Sequence, residues 1–241
     1  MVPNELSSLQ EERRALRPLL SPHDPADALA SYYALWHDPK RTQLLVRRNA
    51  QGNADGFVAV CQTGADLFRP LVTLRAPDAD SAGQLLREAL VPHRPYQVLV
   101  PVVLASAVRE HLDVQQSRLF SIYRLDPARF QPIINVLVQR STGPDGTPRF
   151  QIESQGQAVA ASGTNWRSPT FAEVYVYVDP IGRNRGWGKS VASACTASLL
   201  EARISPLYLV EDGNDGSARI AEELGYVDTG LREFAAEGQI K

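Results

Sequence analysis

Between Ala172 and Ala202 the chain gathers residues that could hold an anion. Val174, Val176 and Val178 alternate with Tyr175 and Tyr177, a period of two that reads as a strand. Asp179-Pro180 ends the ladder, because proline has no N–H to donate. Arg183, Asn184, Arg185, Gly186, Trp187 and Gly188 follow, and Lys189-Ser190 opens a small-residue run of helical length to Ala202. Free N–H groups at a helix start, glycines that admit a ligand to the backbone, and two arginines make an anion site. A diphosphate is a natural occupant; an ordinary basic turn with glycines for packing is the bland alternative. Glu173, just upstream, is either a general base or a solvent-facing strand residue.

Spacing separates two phosphate-binding patterns. Gly188-Lys189-Ser190 matches the end of the nucleotide-hydrolase loop G-x-x-x-x-G-K-[ST]. That loop's first glycine would fall on Arg183, and Gly182 is one position early. The pattern V-x-P-x-x-R-x-x-G-x-G is met by Val178, Pro180, Arg183, Gly186 and Gly188. Set between a strand and a helix, it resembles the acyl-CoA pyrophosphate loop of the GNAT acetyltransferase superfamily. Asn214, Ser217 and Leu224-Gly225-Tyr226 resemble that superfamily's N-x-x-[AS]-x-x-x-x-x-x-L-G-[FY] segment.

The resemblance covers Ile133 to Lys241. It implies an α/β fold with a mixed sheet and acetyl-CoA, or another acyl-CoA, as cofactor. The backbone of Val176, Tyr177 and Val178 would pair with the pantetheine arm. Arg183, Asn184, Arg185, Gly186, Trp187, Gly188, Lys189 and Ser190 would hold the pyrophosphate. Asn214 would touch the pantetheine or hold the neighbouring loop, or is simply a turn residue. Transfer to an amine needs a neutral amine, a stabilised oxyanion and a proton for the departing thiolate. Glu173 is the candidate base, the Val178 N–H the oxyanion donor, and Ser217 the holder of a water near the thiolate. The superfamily's usual tyrosine, seven residues after the asparagine, is Ala221 here. Direct transfer to a small-molecule or peptide amine is therefore expected, with a non-catalytic acyl-CoA sensor as the alternative.

The elements that must position these residues come in two similar runs. Before Asp126 the pattern gives helices over Glu5–Leu20 and Ala26–Trp36. Strands follow at Thr42–Arg47, Gly56–Cys61, Leu71–Leu74, Tyr96–Val100 and Leu119–Leu125. Helices at Asp78–Leu90 and Val103–Leu112 lie among them. After it come strands at Ile133–Arg140, Phe150–Ser154, Gln157–Ser162, the valine strand, Leu207–Val210 and Tyr226–Arg232. A turn at Ser141–Pro148 and helices to Ala202 and over Ser217–Leu224 complete the run. Laid on the second run at its proline, the first puts Asp80 where Arg183 stands and Leu85 where Gly188 stands. The reading is two tandem GNAT-like domains: residues 1–130 without the cofactor loop, and residues 131–241 carrying it.

With 241 residues, 44% hydrophobic and 22% charged, the chain can bury a real core. A net charge of −2 gives no general affinity for nucleic acid or an anionic membrane. No apolar run approaches the ~20 residues of a membrane span. The N-terminal residues lack a signal-peptide pattern, and two cysteines far apart, Cys61 and Cys195, suit a reducing cytoplasm. The histidines have no metal-ligand spacing, so no metal is expected. A monomer is favoured, since a tandem pair can supply its own domain contact.

Overall fold

Alternating branched and small residues build the strands, and amphipathic runs build the helices laid against them. The computed structural model describes residues 3–64, 66–143 and 146–241. Met1, Val2, the Leu6 side chain and Pro144-Asp145 of the expected turn lie outside the described residues. Two units emerge, Met1–Phe120 with Arg232–Lys241, and Ser121–Leu231. A cut at 130/131 would instead leave the last ten residues with the second unit.

The first unit runs α1 (Pro3–Leu16), α2 (Pro25–Ser31), β1 (Thr42–Arg48), β2 (Ala54–Cys61), β3 (Leu71–Arg75), α3 (Ala79–Ala89), β4 (Tyr96–Pro101), α4 (Ala105–His111) and the start of β5 (Leu112–Leu125). β1 with β2 and β2 with β3 are antiparallel, and β3 with β4 is parallel through the α3 crossover. The core is Val72, Leu74, Leu85, Leu86, Val98, Val100 and Val108, closed by Phe234, Ala236 and Ile240 from the chain's end. The helix expected to Trp36 changes character at Tyr32. A π turn over Tyr32–Trp36 is closed by the His37 N–H donating to Tyr32 O at 2.9 Å. Arg13 fixes this turn by donating to Ala34 O and His37 O.

The second unit holds the end of β5, then β6 (Gln139–Thr142), β7 (Pro148–Ser154), β8 (Gln157–Arg167), β9 (Phe171–Val178), α5 (Trp187–Glu201), β10 (Ser205–Glu211), α6 (Asp215–Glu223) and the start of β11 (Tyr226–Ile240). Its strands neighbour one another in the order β6-β7-β8-β9-β10-β5. The first three pairings are antiparallel, and β9 with β10 is parallel through α5. The three strands before α5, the crossover helix, a parallel strand, a second helix and a last strand thus repeat the run that starts at β1 in the first unit, with β6 as an additional edge strand. The core against α5 and α6 includes Ala172, Val174, Val191, Ala192, Cys195, Leu199, Tyr208, Ala221 and Leu224.

The strand expected over Ile133–Arg140 begins only at Gln139. The preceding residues are held on α5 by side chains instead. The Ile133 N–H donates to Ser193 Oγ at 2.8 Å, Asn135 Nδ2 donates to Ser190 Oγ at 3.1 Å, and Phe130, Ile133 and Val138 pack on the core. The last strand runs well past Arg232, since Glu233–Gly238 pair antiparallel with β4.

That pairing has a measurable consequence. Ending the chain at Leu231 removes the strand beside β4 and three apolar side chains from the first unit's core. At about 1.5–3 kcal/mol for each large apolar side chain, urea denaturation should show the first unit destabilised by at least about 3 kcal/mol. An unchanged unfolding midpoint would contradict the assignment of this strand to that core.

Candidate active site

The site forms where β9 and β10 part. Their parallel register covers only Phe171↔Ser205, Ala172↔Pro206, Glu173↔Leu207 and Val174↔Tyr208. Beyond Val174 no β10 residue is paired with β9, while β8 stays in register with it as far as Val178. The direction of the freed groups follows from the β8 side. The Asp179 N–H donates to Val159 O at 2.9 Å, and Ser162 Oγ donates to Tyr175 O at 2.7 Å. Peptide groups alternate along a strand, so Tyr175 and Tyr177 turn their backbone to β8. Val176 and Val178 turn theirs into the split. Tyr177 keeps an exposed ring, with its hydroxyl donating to Asp179 Oδ2 at 3.3 Å.

The loop after β9 delivers a helix start to the same place. Asp179 Oδ1 accepts from the Ile181 N–H at 2.9 Å and tightens the Pro180–Gly182 turn. Asn184 and Gly186 then take left-handed φ values of 59° and 73°, a region that asparagine and glycine tolerate best. Gly186 is the N-cap of α5 and brings no capping side chain. The Ser190 N–H and Ser190 Oγ both donate back to Gly186 O, at 3.0 and 3.1 Å. The N–H groups of Trp187, Gly188 and Lys189 are left without intrahelical partners, as at any α-helix start. Gly188 is needed for space: a Cβ there would stand 2.7 Å from Val178 Cγ2 and 3.2 Å from Ile220 Cδ1.

The charged groups divide. Arg183 and Arg185 are exposed, and the Arg185 guanidinium sits 4.9 Å from the Trp187 ring centroid, a cation–π contact. Lys189 Nζ is paired with Glu223 Oε2 at 2.6 Å, which holds the Glu223 carboxyl below its ordinary range. Ser190 is buried and its hydroxyl is engaged with Gly186 and Asn135. Asn214 caps α6, its Oδ1 accepting from the Ser217 N–H at 3.1 Å; its amide NH₂ takes no part in the cap.

Three-dimensional packing adds residues beyond the sequence motifs. Ser217 Oγ donates to the Tyr208 hydroxyl at 3.2 Å, so the Tyr208 hydrogen is not spent on Ser217. Burial pushes the Tyr208 phenol up, which keeps it protonated at neutral pH. Ala221, in the usual tyrosine position, is wholly buried in the core. Glu173 is buried, with Oε1 accepting from Asn165 Nδ2 at 2.6 Å and Oε2 from Trp166 Nε1 at 2.5 Å. By alternation Glu173 lies on the face of β9 opposite Ala172 and Val174, hence opposite the helices. Val178, Gly188, Ser217 and Tyr208 gather on the helix side, and Glu173 stands across the sheet from them.

Order of strands, crossover helix and early end of the parallel ladder together identify the architecture. The FR47-like protein family matches residues 155–234. A GCN5-related N-acetyltransferase-like protein from Streptococcus suis is similar over 96% of this chain and 100% of its own, at 13% identity and a TM-score of 0.63. The fold is that of the GNAT superfamily. A GCN5-related N-acetyltransferase from Kribbella flavida matches 83% of this chain and 90% of its own, at 16% identity and a TM-score of 0.58. A tandem GNAT protein from the clavulanic acid biosynthesis pathway, solved without AcCoA, matches 98% and 94%, at 13% identity and a TM-score of 0.57. No curated protein matches the chain by sequence. Among the described residues no helix is long and apolar enough to cross a membrane.

The GNAT-like first unit differs at the equivalent helix start. β3 and β4 also pair for only two residues, Leu71↔Gln97 and Val72↔Val98. There Asp78 caps α3, its Oδ1 accepting from the Ser81 N–H at 2.7 Å, with Asp80 in the first turn. Arg75 at the end of β3 is held by Asp27 and Ala26 O.

Two glycine variants separate shape from conformation at the loop. Gly188→Ala should destabilise the protein by about 1–3 kcal/mol through overpacking. Gly186→Ala meets no atom and should cost only about 1–2 kcal/mol, for a left-handed alanine. Chemical denaturation measures both; a neutral Gly188→Ala would mean that α5 does not sit on Val178 as described.

Proposed function

We propose that the second unit binds an acyl-coenzyme A and transfers its acyl group directly to an amine. The carrying observation is the split itself: Val176 and Val178 present backbone donors and acceptors where β10 has left, beside a helix start that no side chain caps. These groups suit the amides of a pantetheine arm, and the open N–H groups of Trp187, Gly188 and Lys189 suit a diphosphate. Arg183 and Arg185 add charge at its edge; Asn184 and Gly186 shape the turn, and Ser190 braces it. Asn214 supports the site by starting α6, with its amide NH₂ left to meet the arm. Acetyl-CoA supplies an acyl thioester when bound.

The chain's own groups divide the remaining work. The Val178 N–H faces the split and can donate to a carbonyl oxygen as charge builds on it. Glu173 accepts the amine proton through water. Tyr208, oriented by Ser217, holds the hydrogen that a departing thiolate needs. A covalent acyl-enzyme on cysteine is disfavoured, because burial pushes the Cys195 thiol up to about 11 and the Cys61 thiol to about 12. The acceptor is a small-molecule or peptide amine. The first unit, with carboxylates at its helix start, is a GNAT-like half without a cofactor loop. The alternative is an acyl-CoA sensor without turnover, favoured by the buried Ala221, which offers no proton.

Calorimetric titration of acetyl-CoA into wild type should give micromolar binding that is lost in an Arg183→Glu, Gly186→Asp double variant. No binding by folded wild type would end the coenzyme reading. Free-thiol release with a panel of amines should fall about 100-fold or more in Glu173→Gln and in Tyr208→Phe. Binding without thiol release for every amine would favour the sensor.

A further inference from the structure

Glu173 is held in an unusual way for a buried carboxylate. β8 carries one extra residue opposite β9: Thr164 faces Val174, Trp166 faces Glu173, and the register shifts between them at Asn165. A bulge of this kind places two residues against one on the partner strand. Here both of them, Asn165 and Trp166, turn their side chains onto Glu173, one to each carboxylate oxygen. We propose that Asn165 and Trp166 are positioning residues that hold the Glu173 carboxylate ionised and aimed in its buried site.

The donor chemistry argues for the anion. An indole N–H can only donate, and with Trp166 donating to Oε2 and Asn165 Nδ2 to Oε1 both oxygens act as acceptors, the pattern of a carboxylate. A carboxylate has about four lone-pair directions, and two remain after these bonds. The two partners also differ in position. Trp166 is buried and Asn165 is exposed, so Oε1 is bonded to the more exposed of the two partners. A proton taken from an amine through water would arrive at Oε1.

The opposing forces are visible. Desolvation pushes the Glu173 carboxyl up, and the bonds from Asn165 and Trp166 pull it down, with a net rise. Facing Glu173 are Asn165 and Trp166 from β8 and Leu207 from β10, none of which titrates. Arg124 stands over the ring of Phe171, two residues before Glu173, with its guanidinium carbon 5.6 Å from the ring centroid. Removing either donor therefore moves the carboxyl further up.

This inference rests on the base role given to Glu173 above, and its test does not need that role. Carbon-13 NMR of protein labelled at the glutamate carboxyls follows each titration in the coenzyme-free protein. The resonance missing from Glu173→Gln assigns Glu173. In Trp166→Phe and in Asn165→Ala its midpoint should rise by about one pH unit each. Asn165→Ala alters an exposed side chain and keeps the test alive if Trp166→Phe fails to fold. A midpoint unmoved in either folded variant overturns the proposal. In acyl-transfer assays the acid limb of kcat/KM should rise with the midpoint. A limb that stays while the midpoint moves removes Glu173 as the base and leaves the clamp standing.

Discussion

The second unit depends on a parallel pairing that stops early. Four residues of β9 bond to β10, and the strands then separate, with their carboxyl ends apart. Twist alone would not hold such a gap open. The first turn of α5 lies on Val178 and against Ile220 of α6, and Lys189 of α5 is tied to Glu223 of α6. The two helices thus brace one another at the end of the strands where the gap lies. Sheet folds of this class bind ligands outside the carboxyl ends of parallel strands. Here the site is a slot between two strands, with the start of α5 at one end and the Tyr208–Ser217 pair beside the fork.

The first unit acts as an internal comparison. From β1 onward it has the element order that the second unit shows from β7 onward, and its parallel pair also parts, after two residues. Its helix start is closed by its own chemistry. Asp78 Oδ1 takes the Ser81 N–H that an anion would otherwise use, and Asp80 adds a second negative charge in the first turn. Gly186 at the start of α5 does neither. One backbone plan therefore yields a helix start open to an anion or one already satisfied, according to whether the cap has a carboxylate.

Much of this was legible in the sequence because it is local. Alternating valines, a proline stop, two residues that tolerate left-handed backbone and a small-residue helix announce the β9–α5 turn without knowledge of any distant contact. Asn214, which the sequence suggests as a turn or ligand-touching residue, is the cap of α6 and bonds the residue three positions on. What was not legible depends on distant partners. The apolar run 133–138 reads as a strand, yet Ser190 and Ser193 of α5 bind its backbone and asparagine first. The end of β11 reads as polar and mixed, and only β4 makes it a strand. The Asn165 bulge breaks the period of two near the end of β8, so the sequence pattern does not show that Trp166 reaches Glu173.

The two faces of β9 carry different side chains, and both border the gap beside β10. Val174, Val176 and Val178 point to the helices, as does Tyr208, while Glu173 points away. A single strand cannot present a base and a proton donor on the same face at adjacent positions, because its side chains alternate. Glu173 lies on β9 and Tyr208 on β10, where Tyr208 is paired with Val174 and shares its face. On the proposed reading, a ligand arm in the gap between β9 and β10 would have the helix side on one flank and the Glu173 side on the other, so the proposed proton acceptor and donor would act from opposite faces of one sheet. On its own side Glu173 meets the indole and the amide that the bulge supplies.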